Sequence, residues 1–367
     1  MEHSSAAGFS EETGTELKDI TWANDEQPGI RRQRRGKGFT YFDALGERVD
    51  PTTLRRINSL VIPPAWTNVW ICHDPKGHIQ ATGRDLRGRK QYVYHPRFRE
   101  CREHQKFDRI LHFAEALPKL RRKVASDLTD RRLSRCLVLA TAVRVLDRTL
   151  MRIGNDEYAR QNQSYGLTTL LNEHIEVGGR RIRFCFRAKS GKIFNAELSD
   201  RRVAAILRKL EGLPGQHLFQ YLDDETDPQR ITSDDVNAYI REATGGDFSA
   251  KDFRTWAATA LAVISLLRLE PATSPTANKK NIARAIKNVS QRLGNTPAVC
   301  RKSYVHPAVL ERYQDGSLAS LTEKLLGMEA EEEPVGLSIH EKEVLLFLKS
   351  TRGAQSLPKA APSLLGS

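Results

Sequence analysis

The sequence predicts an α+β protein: a small β-rich N-terminal domain followed by a larger, mainly α-helical domain. Three observations predict it. Between Gly38 and Arg102, apolar and aromatic residues fall in short β-prone runs separated by turn chemistry. From about Glu103 the apolar spacing changes to three and four, the period of a buried helix face. The chain has 367 residues, of which 39% are hydrophobic, enough for two domains with their own cores plus tails. The expected boundaries are a disordered polar and basic tail over 1–34, the β-rich domain over 35–102, the helical domain over 103–315, and a C-terminal tail with a short helix over 316–367.

The elements follow in order. Residues 1 to about 30 are polar, with few large apolar side chains, and are expected to be disordered. Arg31-Arg32-Gln33-Arg34-Arg35-Gly36-Lys37 is a basic run that reads equally as a solvated linker or a phosphate-contacting arm. Phe39-Thr40-Tyr41-Phe42 and Val69-Trp70-Ile71-Cys72 read as strands, and Asp74-Pro75-Lys76-Gly77 as a turn. His78 to Gly83 and Lys90 to Tyr94 continue the sheet. Cys136, Leu139, Ala140, Val143, Leu146 and Leu150 form the apolar stripe of an amphipathic helix, with Arg152 at its end and Gly154 as the stop. Ile175 to Leu198 reads as a β-hairpin unit: Ile182, Phe184 and Phe186 alternate with Arg181, Arg183 and Cys185, and Ser190-Gly191 turns the chain. Helices are expected to begin at Ser199-Asp200 and at Thr232 to Asp235. Thr255 to Leu267 is an apolar helix with Arg254 at its beginning, Pro271 to Lys280 a loop, and Leu293 to Tyr304 a broken helix and turn. An acidic stretch containing Glu329, Glu331, Glu332 and Glu333 precedes a helix that Ser338 and Glu341 would cap reciprocally.

A net charge of +13 and a pI near 9.6 favour a polyanionic partner. Cys72, Cys101, Cys136, Cys185 and Cys300 are odd in number and scattered, which argues against a disulfide framework and fits a reducing, cytoplasmic setting. The N-terminus has no apolar segment of a signal peptide, and no apolar run approaches the ~20 residues of a membrane span. The nearest phosphate-loop match, Gly83 to Gln91, lacks Lys followed by Ser or Thr. No His, Asp and Glu cluster has metal-ligand spacing. Neither a cofactor nor a metal is expected.

Six residues form a chemical constellation: Arg152, Lys189, Lys251, Arg254, Asn295 and Tyr304. With 58 Lys and Arg in the chain no single one is informative, but order and local sequence are. Arg152 stands in Met-Arg-Ile-Gly-Asn-Asp-Glu-Tyr, Lys189 in Phe-Arg-Ala-Lys-Ser-Gly-Lys, and Arg254 in Lys-Asp-Phe-Arg-Thr-Trp. Asn295 and Tyr304 share the last motif, Leu-Gly-Asn-Thr-Pro-Ala-Val-Cys-Arg-Lys-Ser-Tyr. These types suit attack on a phosphodiester. A phenol with a reference pKa of ~10 is a poor nucleophile, and a cationic pocket favours its phenolate. Two arginines can each donate paired hydrogen bonds to phosphate oxygens as charge develops. Asn295 can donate its amide N–H, although alone beside Gly294 it would read as a turn cap. Lys189, at a hairpin tip, can protonate a leaving oxygen, and Lys251, one turn from Arg254, can assist. His174, His217 and His306 receive no catalytic role.

Together these motifs resemble the type IB DNA topoisomerase family, in the compact form of poxviruses and bacteria, over roughly Gly38 to Tyr313. The resemblance implies a catalytic domain of the topoisomerase IB and tyrosine recombinase type, with Tyr304 as nucleophile. It implies a 3′-phosphotyrosine, strand rotation and religation without ATP or metal, by a monomer that clamps duplex DNA. The chain departs from the family at Asn295, where many relatives have histidine and some bacterial members have asparagine; with the compact form this suggests a bacterial, nucleoid-associated protein. Gly83 to Tyr94 resembles a DNA-contacting segment, which makes Arg84, Arg87, Arg89 and Lys90 candidate phosphate contacts and Gln91, Tyr92 and Tyr94 candidates for base edges or packing. Tyr158 matches a phosphate-contacting tyrosine. The alternatives are a tyrosine recombinase, which would normally carry His-x-x-Arg where this chain has Lys251-x-x-Arg254, and a non-catalytic DNA-binding protein.

Overall fold

The computed structural model describes residues 19–36, 38–223, 227–321 and 336–355. It divides into two compact units, 1–108 and 109–367, with the division inside one long helix. The first unit is built on a five-stranded antiparallel sheet in the order β2-β1-β3-β4-β5. Its strands are β1 (Ile30–Arg35), β2 (Gly38–Phe42), β3 (Thr67–Ile71), β4 (Ile79–Arg84) and β5 (Lys90–Tyr94). Helix α1 (Pro51–Ser59) lies between β2 and β3, with Asp50 capping it through Thr52 and Thr53. Ile30, Ile57, Val69, Ile71 and Ala81 are its buried apolar centre.

The basic run is therefore not part of a disordered tail. Residues 30–35 form an interior strand, paired with β2 on one side and β3 on the other. Strand geometry carries this charge density because successive side chains point to opposite faces. Arg32 lies over the Phe39 ring at 4.2 Å and donates to the carbonyls of Pro63 and Trp66. Buried Ile30 anchors the start. The expectation of disorder for residues 1–18 lies outside the described residues.

The second unit begins in α2 (Pro96–Asp127) and continues through α3 (Arg135–Thr149) and α4 (Asp156–Asn162). A three-stranded antiparallel sheet follows, of β6 (Ile175–Gly178), β7 (Arg181–Arg187) and β8 (Ile193–Ser199). Its expected alternation holds: Ile182, Phe184 and Phe186 are buried and register against Leu198, Ala196 and Phe194. Next come α5 (Arg201–Glu211), a two-stranded ribbon of β9 (Gln220–Leu222) and β10 (Pro228–Arg230), and α6 (Ser233–Thr244). The chain then runs through α7 (Ala250–Leu267), α8 (Pro275–Leu293), α9 (Pro297–Ser303), α10 (Pro307–Gln314) and α11 (Ile339–Gln355).

Three boundaries differ from those read in the sequence. Helix α3 stops at Leu150 in the left-handed region (φ 58°), not at Gly154. Helix α7 begins at Ala250, so Lys251 and Arg254 lie within it; Ser249 and Asp252 cap it reciprocally. The loop after it is shorter than expected, because Ser274 caps α8 and Pro275 occupies the first helical position, where a missing N–H costs nothing. The C-terminal helix is not a tail ornament: Val344 and Leu348 are buried in the main core. The acidic stretch over 329–333 lies outside the described residues. No helix among the described residues is long and apolar enough to cross a membrane.

One aromatic contact organises that core. Phe113 of α2 is fully buried, with its ring edge-on to Phe253 of α7 (5.0 Å) and to Phe248 just before it (5.4 Å). Phe113→Ala should cost about 3–5 kcal/mol of unfolding free energy, the usual loss for a fully buried phenylalanine, measurable in denaturant titrations.

Candidate active site

Three helix ends deliver the candidate side chains. At the end of α3, Leu150 turns left-handed and its N–H bonds Leu146. This frees the Leu150 carbonyl and sends the chain into Arg152. The Arg152 carbonyl accepts the Leu167 N–H at 2.9 Å. Gly166 beside it has no room for a side chain, since a Cβ there would stand 2.6 Å from both the Arg152 carbonyl and the Gly154 nitrogen. Gly166 is a positioning residue that sequence reading missed; a lone glycine between Tyr165 and Leu167 carries no turn signature.

At the end of α8, Gly294 turns left-handed (φ 62°) and Asn295 N–H bonds the Ser290 carbonyl. Thr296 then caps the short α9, whose last residue is followed by Tyr304. The Tyr304 backbone is held from both directions. Its N–H bonds the Cys300 carbonyl at 3.0 Å, and its own carbonyl lies 3.2 Å from the Thr259 hydroxyl of α7, which also accepts the His306 N–H at 3.2 Å. His306 Nδ1 accepts the Ala308 N–H and caps α10, which accounts for it structurally. Thr259, fully buried in α7, was invisible in the sequence as a support for Tyr304.

Arg254 joins these ends. It is 3% exposed, and its guanidinium donates to the Leu150 carbonyl and, at 2.8 Å, to the Leu293 carbonyl. Both acceptors belong to helix C-termini, where carbonyls lack intrahelical partners and the helix dipole is negative. Its Cζ lies 5.3 Å from the centre of the Tyr304 ring. Arg152, half-buried, donates to the Asn295 Oδ1. The buried Asn295 Nδ2 makes no hydrogen bond of good geometry among the described residues, and the amide lies beside the Tyr304 phenol, where it favours the phenolate. Neither arginine forms an ion pair with a carboxylate among the described residues; the acceptors they use are neutral.

The electrostatics follow. Burial alone would push the Tyr304 phenol up. The charge and hydrogen bonding of Arg254, the charge of Arg152 and the Asn295 amide outweigh that and hold it below its ordinary value. Burial, and then the like charge of Arg254, push the Arg152 guanidinium down. Burial pushes the Cys300 thiol up, against Arg254, Asn295, Arg152 and Lys192. The result is a phenol beside two cations, with no resident anion among the described residues.

Arg152, Arg254, Asn295 and Tyr304 are thus brought together. Lys189 and Lys251 are exposed and form no hydrogen bond with these four. Lys189 stands in the turn joining β7 and β8, next to Ser190 in the left-handed region (φ 65°). The turn end of that hairpin is near the site, because Phe194 of β8 lies 4.0 Å from where a Cβ on Gly294 would be. Tyr158, on α4, is 47% exposed. In the first unit, Lys90, Tyr92 and Tyr94 share one exposed face of β5, with the tyrosine rings stacked at 5.8 Å. Lys90 pairs with Asp25 at 2.7 Å. Gln91 falls on the opposite face and donates to Asp85, which also binds Arg89. Arg84 donates to the Gly88 carbonyl and Arg87 is exposed. Tyr92 and Gln91 therefore do not present themselves on one surface. Among the described residues no group of three or more His, Cys, Asp or Glu is gathered where it could hold a metal ion.

Residues 95–331 match the family model described as eukaryotic DNA topoisomerase I, catalytic core, and residues 38–85 match the bacterial DNA topoisomerase IB N-terminal domain. The DNA topoisomerase 1B of Acanthamoeba polyphaga mimivirus is 37% identical over 296 residues, spanning 78% of this chain and 88% of that protein. The DNA topoisomerase 1B of vaccinia virus (strain Copenhagen) is 24% identical over 249 residues, 66% of this chain and 74% of the viral one. The DNA topoisomerase 1 of rabbit fibroma virus is 23% identical over 233 residues, 62% of this chain and 70% of its own.

The electrostatic balance at Tyr304 can be measured directly. With fluorotyrosine at position 304, fluorine NMR should show the phenol titrating at higher pH in Arg254→Gln than in the parent. The sign follows from removing the leading charge that favours phenolate.

Proposed function

Because the chain belongs to the type IB DNA topoisomerase family, we propose that it relaxes supercoiled duplex DNA by cutting one strand through Tyr304 and resealing it. The observation that carries this reading is a half-buried phenol beside two guanidiniums whose acceptors are carbonyl oxygens and an amide. A carboxylate would neutralise such a site; neutral acceptors leave its charge for a phosphodiester.

The step balances as follows. The Tyr304 phenolate oxygen forms a bond to phosphorus at the 3′ side of the scissile linkage. The bond from phosphorus to the 5′ oxygen breaks, and Lys189 gives that oxygen its proton. Arg152 and Arg254 donate to the nonbridging oxygens, where charge accumulates, and the Asn295 Nδ2 adds a neutral donor. A covalent 3′-phosphotyrosine and a free 5′ hydroxyl result. The nicked strand rotates, and the hydroxyl attacks the phosphotyrosine to restore the original bond. Bond energy is conserved in the phosphotyrosine, so ATP is not called for, and Arg152 and Arg254 supply the positive charge that a metal ion would otherwise give. Lys251, on the exposed side of the α7 start, contributes longer-range charge. The exposed Lys90, Tyr92 and Tyr94 face, with Arg84, Arg87 and Arg89, holds the duplex mainly through phosphates; Tyr158 adds another phosphate contact. The chain acts as a monomer.

Relaxation of a supercoiled plasmid with EDTA present and ATP absent tests the reading. Wild type should remove supercoils of both signs, and Tyr304→Phe should neither relax plasmid nor form a covalent DNA adduct. An adduct in that variant would reject the nucleophile, and strand exchange between particular sites without relaxation would favour a recombinase. Lys189→Ala should slow cleavage by roughly 100- to 10,000-fold, the range of general acid catalysis. A substrate with sulfur in place of the bridging 5′ oxygen should restore most of the rate, since a thiolate leaves without protonation. No restoration would remove Lys189 from that role.

A further inference from the structure

Helix α11 lies beyond the stretch matched by the catalytic-core family model, which ends at residue 331. It is nevertheless bound to the core by a polar network that leads to the two helices joined by Arg254. Glu341 is the centre. Its carboxylate accepts from Arg121 of α2 twice, at 2.8 and 3.0 Å, from the Trp256 indole N–H at 3.0 Å, and from the Ser338 N–H at 2.9 Å. Arg121 uses its remaining donors on Asp147 of α3, at 2.9 and 3.0 Å, and on the Gly336 carbonyl at 2.7 Å. All three charged side chains are largely buried, and Trp256 is 2% exposed. The ring of groups is thus fully occupied, the condition under which a buried ionic network is rigid.

The two partners of this network are not arbitrary. Trp256 stands two residues after Arg254 on α7. Asp147 stands three residues before Leu150 on α3, and the Leu150 carbonyl accepts from Arg254. The Arg121–Glu341 pair therefore spans the same two helices that meet at the Leu150–Arg254 hydrogen bond. We propose that Glu341 is a positioning residue for DNA cleavage: acting through Trp256 and Arg121, it fixes α7 against the end of α3 and so seats Arg254 beside Tyr304. This rests on the reading of Tyr304 as the nucleophile. It makes α11 a required part of the catalytic unit rather than an appendage.

A purely stabilising contact would lower the folded fraction and leave the chemistry of the folded molecules unchanged. The test uses single-turnover covalent adduct formation on a duplex that cannot religate, with the full chain. Wild type, Glu341→Ala, Glu341→Gln, Trp256→Phe and Tyr304→Phe are compared, with thermal midpoints and DNA dissociation constants measured in parallel. Glu341→Ala should cleave about tenfold to a hundredfold more slowly, the cost of a small misplacement of catalytic groups, while its DNA dissociation constant stays within about twofold, since the contacts that hold DNA to phosphates are untouched. Its pH–rate profile should move to higher pH. Around the phenol lie Arg254 on α7, Arg152 after α3, and Asn295 and Cys300 beside α9; Arg254 is the leading group that holds its titration down, so a retreat of Arg254 raises it. Loss of the Glu341 anion itself would act in the opposite sense, so the direction is diagnostic. Glu341→Gln, which keeps an acceptor for Trp256, should recover part of the rate. Trp256→Phe, which keeps an aromatic side chain but loses the indole N–H and part of its volume, should show the same shift and stands in if Glu341→Ala does not fold. An unshifted profile, with rate losses that track the folded fraction, overturns the proposal. A wild-type chain that forms no Tyr304-dependent adduct overturns the nucleophile reading, and this inference with it, and is recognised by the Tyr304→Phe comparison.

Discussion

The structure of the catalytic unit turns on where the buried Arg254 guanidinium finds its acceptors. A charge taken out of water must be compensated, or its burial is prohibitively costly. Here the compensation comes from the carbonyls of Leu150 and Leu293, each at the end of a helix. Those carbonyls are unsatisfied by their own helices and carry the negative end of the helix dipole. The arrangement fixes α3, α7 and α8 relative to one another. It also leaves a cation beside Tyr304 whose charge is not cancelled.

Two other arginines of the same unit, one largely buried and one half-exposed, show the contrast. Arg121 is matched by Asp147 and Glu341, and Arg109 by Asp252 and Asp247. Burial pushes the Arg121 guanidinium down, but its two carboxylate partners carry it well above its ordinary range. Such pairs are saturated and have no charge left for a ligand. They work as fasteners: Arg109 holds the capped start of α7 through Asp252, and Arg121 holds its flank through Glu341 and Trp256. The unit thus separates two uses of the same residue type. Arginines with carboxylates build the frame, and arginines with neutral acceptors face the phenol.

The first unit shows how charge density and regular structure coexist. The Arg31 to Arg35 run has the composition of a solvated tail, yet its backbone is paired along its length with β2 and at its start with β3 as well. Alternation distributes the guanidiniums over two faces of the sheet, and Arg32 is further settled on Phe39 and two carbonyls. At the other edge, β5 presents Lys90 and the stacked Tyr92 and Tyr94 on one face, while Gln91 is turned into the Asp85 cluster. Both outcomes follow from the period of two that strands impose on side chains.

The sequence by itself determined the α+β class, the alternation of β7 and β8, the existence of helix α3, the Ser338 and Glu341 cap, and the motifs that carry Arg152, Arg254, Asn295 and Tyr304; that α3 is buried on nearly every face, with Cys136 exposed, it did not. Each feature it determined is written within a few positions by period, capping chemistry or motif. Tertiary structure alone decided that α3 ends at Leu150, that a basic run is an interior strand, that Gly166 and Thr259 support the site, and that α11 belongs to the core. It also decided that Arg254 is buried while Lys251, three positions earlier on the same helix, is exposed. The reason is the range over which a polar group is satisfied. A helix or strand face is set by near neighbours, whereas the acceptors of Arg254 lie 104 and 39 positions away, and only folding brings those helix ends to one guanidinium.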